Sequence, residues 1–554
     1  MSNKKKIIIV GGVAGGATAA ARLRRLNEQD EIILVERGEY ISFANCGLPY
    51  YIGGVITNRN KLLVQTVAGM SRRFKLDIRN LSEVTEIHRD RKSVSIRNLQ
   101  TGEVYEETYD KLILSPGANP IVPNWPGVNE AEALFTLRNI PDTDRIKSYL
   151  DTNQPKHAVV IGGGFIGVEM IENLVERGVS VTLVEMANQV MTPLDIEMAA
   201  IVQSHMKSHG VEMIFQDAVE KLSDNGKKVK LASGKELSAD MIILAIGVQP
   251  ENKLAVQAGL AVGVRGAIQV NEYLQTEDPD IYAIGDAIEV VDYINGQPTV
   301  VPLAWGANRQ GRIVADRING QDVKFGGVLG TAIAKVFDLT VATTGNNEKT
   351  LKRLELPYQA IHIHPNSHAG YYPGAAVISL KLLFEPVSGK IYGAQAIAAN
   401  GADKRIDVIA TAIKGGLTVY DLPDLELAYA PPYSSAKDPV NMAGYVASNI
   451  VDGLVEIVQW HEIDEIVSKG ELLIDVRDAA ERENGFIPGS INIPLNDLRD
   501  RLDEVPMDRT IYVSCQVGLR GYLAARILTE HGYTVKNVDG GYRTYAAAFA
   551  SRKA

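Results

Sequence analysis

The feature that most constrains this chain is a supersecondary unit that occurs twice. Lys6-Ile7-Ile8-Ile9-Val10 is a short apolar run of the kind that forms a buried parallel strand, and it leads straight into Gly11-Gly12-Val13-Ala14-Gly15-Gly16. An Ala-rich helix, Ala17 to Leu26, follows, and then a second apolar strand that ends in Glu36, twenty residues beyond Gly16. This spacing describes a dinucleotide cradle. A side-chain-free turn lets backbone N–H groups approach a pyrophosphate, the helix N-terminus stabilises its charge, and the acid accepts from a ribose hydroxyl. Val13 stands where G-x-G-x-x-G wants its middle glycine.

The second copy is complete. His157-Ala158-Val159-Val160-Ile161 leads into Gly162-Gly163-Gly164-Phe165-Ile166-Gly167, and the strand Ser180 to Val184 ends in Glu185, eighteen residues on. A carboxylate there repels a 2′-phosphate and accepts from a 2′-hydroxyl, and no arginine follows in Met186-Ala187-Asn188-Gln189. The pattern favours NADH over NADPH without excluding the latter.

Composition sets the outer limits. The chain has 554 residues, enough for three to four domains, with 57 basic against 67 acidic residues and a net charge of −10. That balance argues against a nucleic-acid binder, which would show a basic excess. Only 2 cysteines occur, so a disulfide framework and a Cys-rich metal site are excluded, no metal is expected, and a reducing compartment is indicated. Lys4-Lys5-Lys6 before an apolar run imitates a signal peptide, but Gly11, Gly12, Gly15 and Gly16 break that run in the order of the cradle. No uninterrupted apolar stretch of about 20 residues is present. A cytoplasmic enzyme with no membrane or nucleic-acid partner is expected.

Further segments fall into order behind the two cradles. Leu112-Ile113-Leu114-Ser115-Pro116-Gly117 and Met241-Ile242-Ile243-Leu244-Ala245-Ile246-Gly247 are strands closing in a Gly turn, and Ile281-Tyr282-Ala283-Ile284-Gly285-Asp286 ends a buried strand in an acid. Together these resemble the two-dinucleotide flavoprotein disulfide reductases over about residues 6 to 445. The resemblance implies an α/β protein with two Rossmann-like dinucleotide-binding domains and an α+β dimerisation domain. FAD would be held by Gly11, Gly12, Ala14, Gly15, Glu36, Arg37, Gly117 and Asp286, and the nicotinamide dinucleotide by Gly162, Gly164, Gly167, Glu185 and Gly247. The expected ranges are 1–115 with 245–325 for the FAD domain, 116–244 for the NAD(P)H domain and 326–448 for dimerisation.

Cys46 lies in Ser42-Phe43-Ala44-Asn45-Cys46-Gly47-Leu48-Pro49-Tyr50-Tyr51. Larger reductases of this superfamily carry C-x-x-x-x-C here, and Tyr51 takes the partner position. A single redox cysteine without a resolving thiol must be oxidised to a sulfenic acid, a mixed disulfide with a small thiol, or a persulfide. If the following segment is helical, its N-terminus should lower the thiol pKa. Related NADH peroxidases and oxidases carry a histidine in the first glycine turn, where this chain has Ala14. The Cys46 string is instead similar to coenzyme A-disulfide reductases. That resemblance implies a homodimer in which Tyr371 and Tyr429 reach the partner subunit's redox cysteine, with Arg22, Ser42 and Asn45 meeting coenzyme A.

A further α/β unit is expected over 456–554. Asp475-Val476-Arg477, the strand Thr510 to Ser514, and Cys515-Gln516-Val517-Gly518-Leu519-Arg520 opening a helix resemble a single-domain rhodanese. Loop N–H groups there can form an anion nest around a thiolate or persulfide at Cys515, with Arg520 closing or bracing the loop. Arg520 comes one residue too early for a C-x5-R phosphatase loop. The combined expectation is a flavoenzyme that uses NADH to reduce CoA disulfide, CoA persulfide or polysulfide at Cys46, with sulfane-sulfur transfer by Cys515. An NADH oxidase or peroxidase and a redox-sensing binding module are the alternatives.

Overall fold

The computed structural model describes residues 4–552, so the outermost residues of the expected 1–115 and 456–554 ranges lie outside the described residues. The chain forms two compact units, one of residues 1–188 with 210–330 and one of 189–209 with 331–554.

The first unit is built by duplication. Its first parallel sheet has the strand order Ile281–Ala283, Lys111–Leu114, Lys6–Val10, Glu31–Val35, Asp77–Arg79. Its second has Leu134–Phe135, Met241–Leu244, His157–Ile161, Ser180–Glu185, Glu212–Phe215 in the corresponding places. In each, a three-stranded antiparallel meander precedes the fourth strand, Ser82–His88 to Val104–Thr108 in one and Val219–Ser223 to Glu236–Ser238 in the other. The segments after the fourth strands, Ala118–Pro120 and Val248–Pro250, pair antiparallel with each other. The central strands read as unbroken Ile, Val and Leu because helices cover both faces of a parallel sheet, and Ile7, Ile8 and Ile9 are fully buried.

The second unit holds two sheets. An antiparallel sheet runs Ala332–Val336, Leu339–Gly345, Ile391–Ala398, Ser379–Phe384, Gln359–Ile363, with the helices Ala402–Lys414 and Pro439–Val451. A parallel sheet runs Glu456–Val458, Val535–Val538, Ile511–Ser514, Leu472–Asp475, Ile491–Asn492. The helix Ile196–Ser208 also belongs to this unit, although the expected range 116–244 runs through it without a break. Among the described residues no helix is long and apolar enough to cross a membrane.

Candidate active sites

Both glycine turns are closed by the same backbone contacts. Gly11 N–H donates to Val35 O at 2.9 Å and Gly162 N–H to Val184 O at 2.9 Å. A Cβ on Gly16 would lie 1.8 Å from Gly11 O, and one on Gly167 would lie 1.9 Å from Gly162 O. These last glycines are therefore demanded by the chain itself. The middle position is different: a Cβ on Gly164 would meet nothing within 4 Å. Chain packing thus explains why Val13 is accommodated at that position of the first turn.

The acids are aimed by the turns. Glu36 accepts from Gly12 N–H at 2.8 Å and from Gly38 N–H at 2.7 Å. Glu185 accepts from Gly163 N–H at 2.6 Å and from Ala187 N–H at 2.8 Å. Gly12 therefore spends its N–H on Glu36 and is not among the residues that line the cavity, and a carboxylate so held keeps lone pairs for a ribose hydroxyl.

A cavity of about 1250 Å³ opens over the first turn, larger than a drug-sized pocket. It is lined by Gly11, Val13, Ala14, Gly15, Glu36, Arg37, Gly117 and Asp286, and also by Ser42, Asn45 and Cys46. A long cleft with a side-chain-poor floor and an aimed carboxylate fits a flavin dinucleotide. Burial holds the Asp286 carboxyl above its ordinary range, against the opposing pull of Arg138.

Cys46 sits in a tight turn, Asn45–Gly47, and is exposed. The segment is pinned to the glycine turn, since Ser42, whose φ is +43°, donates its N–H to Gly12 O at 2.9 Å. The expected helix follows, Leu48–Gly53, but it does not depress the thiol. Desolvation by the cavity walls raises the Cys46 pKa, and the carboxylates of Glu169 and Asp286 raise it further. Glu169 lies on the helix Phe165–Glu176, and burial, with Glu172 nearby, pushes it up to about 7. Its sequence signal was weak, since Glu169 is one of three acids on that helix, with Glu172 and Glu176.

Arg22 is not among the cavity-lining residues, and its Nε donates to Asp316 Oδ1 at 2.7 Å. Arg37, Arg97 and Arg138 line the cavity that Ser42 and Asn45 also line, and so do Arg25 and Arg73. Sequence reasoning missed Arg25 and Arg73: Arg25, three residues on from Arg22, shares a helix face with it, and Arg73 comes from a different helix, Val67–Phe74. In the second unit the fold brings Tyr371 and Tyr429 together. Their hydroxyls lie 3.0 Å apart on exposed side chains, and this bond raises the Tyr371 pKa.

Cys515 is fully buried at the end of Ile511–Ser514, and Gly518 N–H donates to its Sγ at 3.2 Å. Gly518 has a φ of +94°, which turns that N–H inward. Tyr542 N–H donates to Cys515 O at 2.7 Å, and Arg477 Nη1 reaches Gln516 Oε1 at 2.9 Å while also paired with Asp475. Arg520 forms a two-pronged bridge to Glu481, 2.6 Å at each end, so it braces the loop through a partner the sequence did not suggest.

Three family models match the chain in succession. The pyridine nucleotide-disulphide oxidoreductase model matches residues 5–311, its dimerisation-domain model 331–439, and the rhodanese-like domain model 459–548. Coenzyme A disulfide reductase of Staphylococcus epidermidis is 39% identical over 428 residues, covering 77% of this chain and 96% of that protein. The crystal structure of reduced Bacillus anthracis CoADR-RHD is 66% identical, covers 99% of both chains and superposes with a TM-score of 0.98. An NAD-dependent persulfide reductase from A. fulgidus is 39% identical with a TM-score of 0.91, covering 98% of this chain and 100% of that one. The two matched cradles, the antiparallel sheet and the Cys515 loop thus belong to one lineage: this chain is a member of the pyridine nucleotide-disulphide oxidoreductases, in the FAD- and NAD(H)-dependent coenzyme A disulfide reductase branch that carries a rhodanese-like domain.

Proposed function

We propose that the chain is a cytoplasmic homodimer that reduces CoA disulfide, CoA persulfide or polysulfide at Cys46, with Cys515 moving sulfane sulfur. The observation that supports this most directly is Cys46 on the wall of the cavity that also holds Glu36 and Asp286. No cysteine other than Cys515 occurs in the chain, and of the oxidised states open to Cys46 this reading takes the mixed disulfide with a small thiol.

Gly11, Ala14, Gly15, Glu36, Arg37, Gly117 and Asp286 would hold FAD, which when bound supplies two electrons drawn from NADH. Cys46 thiolate attacks one sulfur of CoA disulfide, the S–S bond breaks, one CoA departs as thiolate, and a Cys46–CoA mixed disulfide is left. Two electrons and a proton then return Cys46 to thiolate and release the second CoA thiol. With CoA persulfide the same two electrons and two protons give CoA thiol and hydrogen sulfide.

Ser42, Asn45, Arg25 and Arg73 orient the substrate: the guanidinium groups suit phosphates and the short polar side chains suit the pantetheine amides. Tyr371 and Tyr429 are assigned to the partner subunit's Cys46, where a phenol hydrogen-bonds or protonates the departing thiolate. Cys515, with Gly518 N–H stabilising its charge, takes sulfane sulfur as a persulfide and passes it to CoA thiolate.

Initial rates of NADH oxidation with CoA disulfide, CoA persulfide, polysulfide and oxygen at matched concentrations test the assignment. Cys46→Ser should abolish turnover of every sulfur substrate while FAD stays bound, and Cys515→Ser should abolish sulfur transfer and spare CoA disulfide reduction. Rapid oxygen reduction with negligible turnover of both CoA species would return the chain to the oxidases.

A further inference from the structure

His205 stands on the last turn of the helix Ile196–Ser208 and His209 is its C-terminal cap residue, so the two imidazoles, four residues apart, share one face. Asp338 reaches them from the tight turn between the strands Ala332–Val336 and Leu339–Gly345. Its Oδ2 lies 3.6 Å from His209 Nε2, and one ligand atom from each of the three side chains falls within 4.8 Å of the others. All three residues belong to the same compact unit.

The hydrogen bonds fix which ring nitrogens are free. His209 Nδ1 lies 2.9 Å from the His205 carbonyl oxygen, which can only accept, so Nδ1 carries the proton and Nε2 presents its lone pair. Asp338 N–H points at His205 Nε2 at 3.4 Å, so that nitrogen also presents a lone pair. The Phe337 ring stacks on His209 with centroids 4.1 Å apart at 9°, which restrains the imidazole plane. A ring that gives its second N–H to a carbonyl while its other nitrogen faces a carboxylate is arranged as metal-bound histidines are.

We propose that His205, His209 and Asp338 bind one divalent transition-metal ion of the zinc class, with water completing the shell. Bonds of about 2.0–2.1 Å in a tetrahedron place donor atoms roughly 3.4 Å apart, close to the observed 3.6 Å edge between His209 and Asp338. Two neutral imidazoles and one carboxylate leave a single negative charge for a dication. On binding, the ion replaces the long contact from Asp338 N–H. Among the described residues a second convergence of three such side chains, Asp195, Glu197 and Glu348, is already filled by the Lys381 ammonium and is no rival. The ion would clamp the end of a helix to a hairpin turn more than a hundred residues away in sequence.

The test uses full-length, tag-free holoenzyme cleared of metal by dialysis and titrated with zinc chloride, and in parallel with cobalt(II). Wild type should take up one more equivalent of zinc than His209→Gln or His205→Gln, and Asp338→Asn should bind at least about tenfold more weakly. Cobalt should give a visible spectrum free of thiolate charge transfer, and that spectrum should vanish in both histidine variants. NADH oxidation in the variants should match wild type, which separates this site from the reading of Cys46. Equal zinc uptake by wild type and both histidine variants, or a thiolate band in the cobalt complex, would overturn the proposal.

Discussion

His362 and Asp539 are joined by two hydrogen bonds across 177 residues of chain, the His362 N–H to Asp539 Oδ1 at 3.0 Å and the imidazole Nδ1 to Oδ2 at 2.6 Å. The other ring nitrogen meets Glu197 at 3.0 Å, and Glu197 in turn accepts from Lys381, which is fully buried. Asp539 immediately precedes Gly540-Gly541-Tyr542, and Tyr542 N–H holds Cys515 O. The antiparallel sheet is therefore tied through one imidazole to the loop that carries the second cysteine. Asp539→Asn removes one charge from a buried pair, a change that costs about 3–5 kcal/mol. Urea denaturation should show the loss, and sulfur transfer at Cys515 should fall with it. Wild-type stability in this variant would mean that the pair is ornamental.

The same cluster sets a pH window. Burial alone disfavours the charged His362, but Asp539 and Glu197 outweigh it and hold the pKa up at about 9. A raised imidazole pKa stabilises the fold fully below its ordinary value near 6.5, and that stabilisation is lost as pH rises through about 9. Burial likewise opposes ionisation of Glu348, yet Lys381 and Lys352 pull it down to about 2. Its contribution is present above about 4.3 and is lost as pH falls toward 2. Midpoints of urea unfolding measured from pH 3 to 10 should decline at both ends, and His362→Gln should flatten the alkaline side.

Glu169 raises the Cys46 pKa, so Glu169→Gln should lower it. The rate of Cys46 alkylation by iodoacetamide against pH reads the thiolate directly. Its midpoint should move to lower pH in the variant, and the wild-type profile should flatten near pH 7, where ionisation of Glu169 opposes loss of the thiol proton. An unmoved midpoint would remove Glu169 from the site.

Two glycines of one turn should fail in different ways. A methyl on Gly167 would sit 1.9 Å from Gly162 O, so Gly167→Ala should yield little folded protein. Gly164→Ala meets open space and should fold normally, with an unfolding free energy within about 0.5 kcal/mol of wild type. Its defect should be a raised KM for NADH, because the open space belongs to the ligand.

Glu185 ends the second strand of the second cradle, and the exposed Met186 follows it. Glu185→Ala combined with Met186→Arg removes a repelling charge and adds a guanidinium for a 2′-phosphate. The ratio of kcat/KM for NADPH over NADH should rise at least about tenfold, equivalent to about 1.4 kcal/mol.

What the sequence determined by itself was the local chemistry: two strand–turn–helix cradles, an acid at the end of each second strand, one cysteine in each of two different settings, and the division into reductase and rhodanese-like parts. Those are legible because a glycine turn, an apolar strand and a periodic helix are each specified within some twenty residues. Tertiary structure decided which side chains share a space. It turned Arg22 onto Asp316 while Arg25 faced the cavity, brought Glu169 to bear on Cys46, braced Arg520 with Glu481 and set Asp338 against a His-x3-His pair. It also reversed the expected direction of the Cys46 pKa, since desolvation and nearby carboxylates outweigh a six-residue helix. Electrostatics depends on distance in space and on exclusion of water, and neither is written into the spacing of residues along a chain.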